Sequence, residues 1–318
     1  MAPDLPALDV VVVSWERGDT ILEALDSVSR QEGVRTKIHV VDQGSSPATL
    51  DVLRRLARSG EIALRELGAN LGVAAGRNAG LAMGQADYIA CLDDDSRFSQ
   101  PDALVRALHE FQADPKLGAV GFRIKEDRTL EDDRASWAFP RPLRERAGER
   151  FLATRFPGAG HALSRRALER TKGYDPRITF YWEELDLSYQ LLAAGFKILY
   201  EPTIVVLHKR SPLSRLHWRG GRYYYYVRHG IYVTYKYFRS PGLVAVLAAG
   251  YLVKGAYNGV TGQALRGTRD GLRMIRETRD DAWPMMDPTT REYIYRHDLS
   301  HRGSPWRRLR DEVFEKLV

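Results

Sequence analysis

The 318-residue chain has one cysteine, Cys91, so no intrachain disulfide can staple it. That suits a reducing compartment, and the apolar neighbours of Cys91 mark it as a core residue. Long hydrophobic runs are also missing. The longest, Gly242 to Val253, stops at Lys254, short of the roughly 20 residues a bilayer span needs. The amino terminus shows no basic segment followed by an apolar one, which argues against a signal peptide. No repeat recurs every 20 to 50 residues or so, which excludes solenoids and propellers. Acidic residues are outnumbered, 41 against 48 basic ones, and the net charge of +7 suits polyanions: nucleic acid, an anionic membrane surface or a nucleotide diphosphate.

The chain is long enough to bury a sizeable core, and its 44% hydrophobic and 28% charged residues are those of a soluble globular protein. Asp9 to Val13 is a β-branched run of the kind buried in parallel sheets. Thr20 opens a helix, with Glu23 completing a capping box. Lys37 to Val41 is a second strand. Ser46 and Pro47 begin the next helix, which stops before Gly60. Ile62 to Leu67 is a third strand. The glycine-spaced segment from Gly68 to Gly80 is a loop entering a short helix. Asp87 to Leu92 is a fourth strand, followed by a helix at Pro101 to Gln112 and a strand at Gly118 to Ile124. This alternation predicts a mostly parallel α/β sheet flanked by helices. Ligands bind such sheets beyond the carboxyl ends of the strands, where Ser14, Asp42, Asn70 and Asp93 should converge.

The fourth strand ends in Asp93-Asp94-Asp95. Three adjacent carboxylates repel one another, and a divalent cation carrying a phosphate would relieve the repulsion. The plain alternative is a solvated acidic turn. Lys125 to Arg155 reads as a long loop or small hairpin. Ser164 caps a helix at Arg165 to Thr171, and Phe180-Tyr181-Trp182-Glu183-Glu184-Leu185-Asp186 enters a helix ending at Gly195. Strands follow at Lys197 to Tyr200 and Thr203 to Leu207. From Lys209 arginine interleaves with aromatics, including Trp218, Arg219 and Tyr223 to Tyr226, and helices are expected. A polar tail is expected from about Gly262.

Four segments in order carry a family resemblance: Val10 to Ser14 with Val40-Val41-Asp42-Gln43-Gly44-Ser45; Asn70-Leu71-Gly72 through Arg77-Asn78-Ala79-Gly80; Leu92-Asp93-Asp94-Asp95; and Gly173-Tyr174-Asp175 through Trp182-Glu183-Glu184-Leu185-Asp186 to His208. The chain resembles family 2 glycosyltransferases of the GT-A fold, a Rossmann-like α/β architecture, and among them rhamnosyl- and galactofuranosyl-type polysaccharide transferases. The resemblance implies a GT-A domain over residues 1–210, with a nucleotide-sugar half at about 8–125 and an acceptor half at about 126–210. A basic, aromatic helical extension would occupy 211–318. It implies an inverting, metal-dependent enzyme moving a sugar from a nucleoside diphosphate, UDP or dTDP, to a hydroxyl of a saccharide or lipid-linked acceptor.

By the same resemblance Ser14, Asp42, Arg77, Asp93 and Asp94 would bind the nucleotide sugar, Asp93 at the ribose. Asp95 and His208 would hold Mn2+ or Mg2+, and Glu184 would be the catalytic base. The family usually has aspartate there, so Glu183 stays open beside it. Trp182, Gly160, His161 and Asp186 would face the acceptor. Each has a plainer reading: Asp42 as an Asx-turn residue, Arg77 as a surface ion pair, Glu183, Glu184 and Asp186 as acids favoured at a helix start, Gly160 as part of a tight turn.

Residues 211–260 could rest on a membrane or form an ordinary helical subdomain. No recognition module supports nucleic-acid binding. The expected location is cytoplasmic, with peripheral contact to the inner face of the plasma membrane as an option. The oligomeric state, including a homodimer, stays open. Two other classes are weighed: a sugar-phosphate nucleotidyltransferase, which lacks support because Ser14 to Asp19 is not the glycine-rich basic loop such enzymes share, and a non-catalytic nucleotide-sugar-binding protein.

Overall fold

The structure, a computed structural model, describes residues 5–209, 221–283 and 285–304. Nine strands form one sheet in the order β3-β2-β1-β4-β8-β6-β9-β5, with β7 against β9. Strands β1 (Ala7–Ser14), β2 (Arg35–Asp42), β3 (Ala63–Glu66) and β4 (Tyr88–Asp93) are all parallel, as the alternation predicts. The other half is mixed. β8 (Gly160–Ser164) runs antiparallel to both β4 and β6 (Leu117–Glu126), while β6 and β9 (Lys197–His208) are parallel. Two expected strands prove to be one: β9 continues through Pro202, and the register slips at Phe122/Arg123 opposite it. The short strands β5 (Ser96–Phe98), β7 (Phe151–Ala153) and β8 carry no sequence period long enough to read.

Alternate β1 residues face opposite sides of the sheet. Leu8, Val10 and Val12 pack with α1 (Thr20–Ser29), α2 (Pro47–Arg58) and α4 (Ala103–Ala113) through Ile21, Leu53 and Leu104. On the other face Val11, Ile89 and Cys91 pack with α3 (Val73–Leu81), α5 (Arg165–Leu168) and α6 (Glu183–Ala193). Cys91 is buried, and loss of hydration raises its thiol to about 12. Three expected caps do not form, that of Ser164 on α5 among them. Thr20 lies inside α1, and no side chain caps the helix. Ser46 donates its hydroxyl to Glu16 rather than accepting from α2.

The carboxyl-terminal third is helical: α7 (Arg222–Phe238), α8 (Pro241–Tyr257), α9 (Thr261–Glu277) and α10 (Pro288–His297). Trp218 and Arg219 lie outside the described residues. α7 adds Tyr232, Val233 and Tyr237 to the α6 side of the core, while its Tyr223, Val227 and Ile231 face α8 and α9. Helix α9 corrects the expected polar tail. A Cβ at its Gly267 or Gly271 would come within 2.8 Å of the carbonyl oxygens of Tyr224 and Arg228. The helix therefore meets α7 through glycine, and the apolar stripe that signals a buried helix is muted.

Candidate functional site

Register builds the site. Ser14 pairs with Asp42 and Val13 with Asp93, so β1, β2 and β4 release their last residues at one edge, where the sheet order reverses. Ser96 of β5 pairs with His208 of β9, which draws the acidic triplet to the histidine. The Lys209 N–H also donates to the Asp95 carbonyl oxygen at 2.7 Å.

Arg77 is the electrostatic centre. It is buried and projects from α3 toward the carboxylates. Its guanidinium donates to Glu184 at 2.7 Å, to the Gly158 carbonyl oxygen at 2.9 Å and to Asp93 at 3.2 Å. This is no surface ion pair. The neighbouring carboxylates hold it charged against the penalty of burial. Gly158 admits the arrangement, since a Cβ there would lie 2.3 Å from Glu184 Oε1.

The two candidate bases differ. Glu184 is paired with Arg77, and its side chain keeps 19% exposure. Glu183 is buried, and its Oε2 has no hydrogen-bond partner among the described residues. Burial, reinforced by the charge of Glu184, pushes the Glu183 carboxyl well above the usual carboxylate range. The preceding segment is strained: Tyr181 and Trp182 both adopt left-handed backbone, with φ of 62° and 75°. Helix α7 holds it in place. Trp182 Nε1 donates to the Tyr226 carbonyl oxygen at 3.0 Å, and His229 Nδ1 donates to that of Phe180 at 2.8 Å.

His208 Nε2 lies 3.3 Å from Asp95 Oδ1, and its Nδ1 donates to Asp133 at 2.8 Å. Burial opposes charge on the ring, but the bonds to Asp133 and Asp95 outweigh it and lift the imidazole to about 10. Asp95 and His208 thus face each other as two groups that could share a cation. Carboxylate oxygen plus imidazole nitrogen, with the far nitrogen fixed by a second carboxylate, fits Mn2+ or Mg2+. Among the described residues no three His, Cys, Asp or Glu side chains form a ready metal cluster. The remaining ligands would have to come from phosphate oxygens or water.

Asp94 accepts from the Trp15 N–H at 3.2 Å and ties the triplet to the loop after β1. Asp42 satisfies the turn reading with one oxygen, which accepts from the Gly44 and Ser45 N–H groups. Its other oxygen, like Ser14 Oγ, is buried with no partner among the described residues.

Three of the acceptor-side candidates lie inside the fold. Asp186 is wholly buried and bound to Lys236 and Tyr237, so its charge is spent inside the protein. His161 is buried in β8, with one nitrogen on the Pro157 carbonyl oxygen and the other on the Tyr174 hydroxyl. Gly160 sits within the same strand, where a Cβ would meet Val206 at 2.8 Å. Trp182, the fourth of that group, is half-buried against α7 at the residue before α6.

Sequence reasoning missed Arg17 and Asp133. Arg17 donates to Asp95 at 3.0 Å from the loop after β1. A lone arginine in a loop carries no spacing signal. Asp133 lies in the irregular middle, where no periodicity marks it.

A model described as "Glycosyl transferase family 2" matches residues 9–171, just over half of the chain. Poly-beta-1,6-N-acetyl-D-glucosamine synthase of Staphylococcus aureus (strain MSSA476) is 29% identical over 117 residues, 37% of this chain and 28% of that one. The synthase of Staphylococcus epidermidis is 26% identical over 113 residues, 36% of this chain and 27% of that one. The matched stretch thus spans little more than a quarter of these relatives. Among solved structures, the mannosyltransferase PcManGT of Pyrobaculum calidifontis, in complex with GDP-Man and Mn2+, is similar at a TM-score of 0.58 and 19% identity, covering 98% of this chain and 86% of that one. GalNAc-T7 with UDP, GalNAc and Mn2+ is similar at 0.62 and 14% identity, covering 89% and 59%. The fold is that of GT-A glycosyltransferases with a helical carboxyl-terminal region, and the chain belongs to glycosyl transferase family 2.

Proposed function

We propose that the protein transfers a sugar from a nucleoside-diphosphate donor, UDP- or dTDP-linked, to a hydroxyl of a saccharide or lipid-linked acceptor, with inversion at the anomeric carbon. The observation that carries this reading is the convergence of Asp93, Arg77 and Glu184 beside Asp95 and His208, at the strand edge where a family 2 donor would lie.

Asp93 accepts from the ribose hydroxyls. Asp94 orients the loop under the sugar. A base N–H that reached the unpartnered oxygen of Asp42 would satisfy a buried acceptor. Asp95 and His208 would hold the divalent cation, and a cation bound there would supply positive charge beside the leaving diphosphate. Arg17, paired with Asp95 at 3.0 Å, brings a guanidinium to the side of the site where the diphosphate would lie. Glu184 takes the acceptor hydroxyl proton as that oxygen attacks the anomeric carbon, so a single displacement inverts the configuration. Arg77 keeps the Glu184 carboxylate aimed. Burial pushes the Glu183 carboxyl toward its neutral form, which leaves it less available to accept a proton at neutral pH. Trp182 offers an apolar face to the acceptor.

Nucleoside diphosphate release measured across UDP-, dTDP- and GDP-sugars with Mn2+ tests the reading. Turnover with one donor class is expected. Neither turnover nor donor binding with any of them would refute it.

A further inference from the structure

Among the described residues helix α8 has the longest uncharged outer face of any helix. From Pro241 to Val253 it carries no charge, and its one cationic side chain, Lys254, is turned inward and buried. Val246, Ala249, Val253 and Ala256 recur at helical spacing and are all exposed, with Leu243 and Tyr257 at the ends. Val246 is 64% exposed. Scattered apolar residues on a surface are ordinary, but an unbroken stripe along a whole helix is not. At about 1.5 Å per residue the stripe from Gly242 to Ala256 is about 21 Å long, shorter than the ~30 Å hydrocarbon core of a bilayer. No helix among the described residues is long and apolar enough to cross a membrane.

Helix α9 packs beside α8 and turns Arg266, Arg269, Arg273 and Arg276 outward, together with exposed Leu265 and Leu272. Only Glu277 and the partly buried Asp270 offset that charge on this helix. We propose that the outer faces of α8 and α9 form a docking surface for an anionic lipid bilayer, with the α8 stripe at the headgroup–acyl boundary and the α9 arginines on lipid phosphates.

Charge complementarity selects this occupant. A second copy of the chain would bring arginines against arginines, which disfavours self-association. The middle of the stripe is valine and alanine, without the tryptophan or tyrosine anchors that concentrate binding energy at protein interfaces. The inner face of α8 reaches the site: Tyr251 stacks edge-on against Tyr226, whose backbone carbonyl holds Trp182. Docking would therefore set the acceptor wall one helix layer from the lipid surface.

Flotation of the full chain with phosphatidylcholine vesicles, with and without phosphatidylglycerol, tests this. Binding to the anionic vesicles is expected. It should fall roughly tenfold or more in Val246→Asp/Val253→Asp and in Arg266→Glu/Arg273→Glu, and as salt rises from about 0.05 to about 0.5 M. These positions are exposed, so an unchanged thermal midpoint certifies the fold of each variant. Nucleoside diphosphate release on a soluble acceptor should be unchanged in Val246→Asp/Val253→Asp, so docking and transfer fail separately. No flotation of the wild type, flotation of both double variants at the wild-type level, or a dimer that Val246→Asp dissociates without any vesicle binding would overturn the proposal.

Discussion

Lys236 of α7 is the buried cation that ties the helical extension to the helix bearing Glu184, and replacing it with methionine should be costly. Its ammonium donates to Asp186 at 2.5 Å and to Asp175 at 3.0 Å, and all three side chains have no solvent exposure. Asp175 would keep Arg177 at 2.8 Å and the Tyr232 hydroxyl. Asp186 would keep only neutral partners, the Tyr237 hydroxyl and the Gln190 amide. Lys236→Met therefore strands the Asp186 carboxylate in the core. Removing one partner of a buried ion pair costs about 3–5 kcal/mol, because the remaining charge has no solvent to return to. For a chain of this length that lowers the thermal midpoint by roughly 6 °C, taking about 2 cal/mol/K of unfolding entropy per residue.

The assay is urea unfolding of Lys236→Met, Asp186→Asn and the double variant. The double variant should be more stable than Lys236→Met alone, because the amide removes the stranded charge, with a coupling of roughly 1–3 kcal/mol. A loss below about 1 kcal/mol in Lys236→Met, or strictly additive losses in the double variant, would refute the buried-charge argument.

Gly158→Ala should drive the Glu184 carboxylate from its place, because the new methyl group would overlap Oε1. Turnover is expected to fall roughly 100-fold with the thermal midpoint moving by no more than about 2 °C, and wild-type turnover would contradict the placement of the base. Asp133→Asn should weaken Mn2+ binding in the presence of nucleoside diphosphate roughly 10- to 100-fold, read directly by titration calorimetry, since the carboxylate that fixes His208 is lost. Acid should destabilise the fold through His229, whose imidazole burial depresses to about 4. Between the unfolded value near 6.5 and about 4 the unfolded chain binds the extra proton, so stability present above about pH 6.5 is lost as pH falls, by roughly 3 kcal/mol in total. Urea midpoints across that range should show the loss in the wild type and a flatter profile in His229→Asn; equal slopes would contradict it.

The parallel half of the sheet was legible because its strands are continuous apolar runs and its helices have clear starts and stops, as at Pro47 and Gly60. The site edge followed, since Ser14, Asp42 and Asp93 each end a strand. The groups around the triplet were partly legible: His208 ends β9, whereas Arg17, which pairs with Asp95, and Asp133, which fixes His208, lie in loops where position, not pattern, gives them their role. The burial of Arg77 was not legible: it read as a nucleotide ligand or a surface ion pair, and the alanines and glycines of α3 are what let the helix sink until the guanidinium is buried. Asp186 was misassigned for a related reason. A carboxylate in the first turn of a helix normally faces solvent, and its partner Lys236 lies 50 residues later among tyrosines. The helical extension expected over 211–318 includes α9, but its packed face was read as a polar tail because glycine, not leucine, makes its contact with α7.

The central claim is that Glu184, aimed by Arg77, is the base at a nucleotide-sugar site. Glu184→Gln and Glu183→Gln, each measured for donor binding and for nucleoside diphosphate release with acceptor, test it most directly. Glu184→Gln should bind donor as the wild type does while turnover falls roughly 100- to 10,000-fold, and Glu183→Gln should retain most activity. Full activity in Glu184→Gln, or turnover abolished by Glu183→Gln alone, would contradict it.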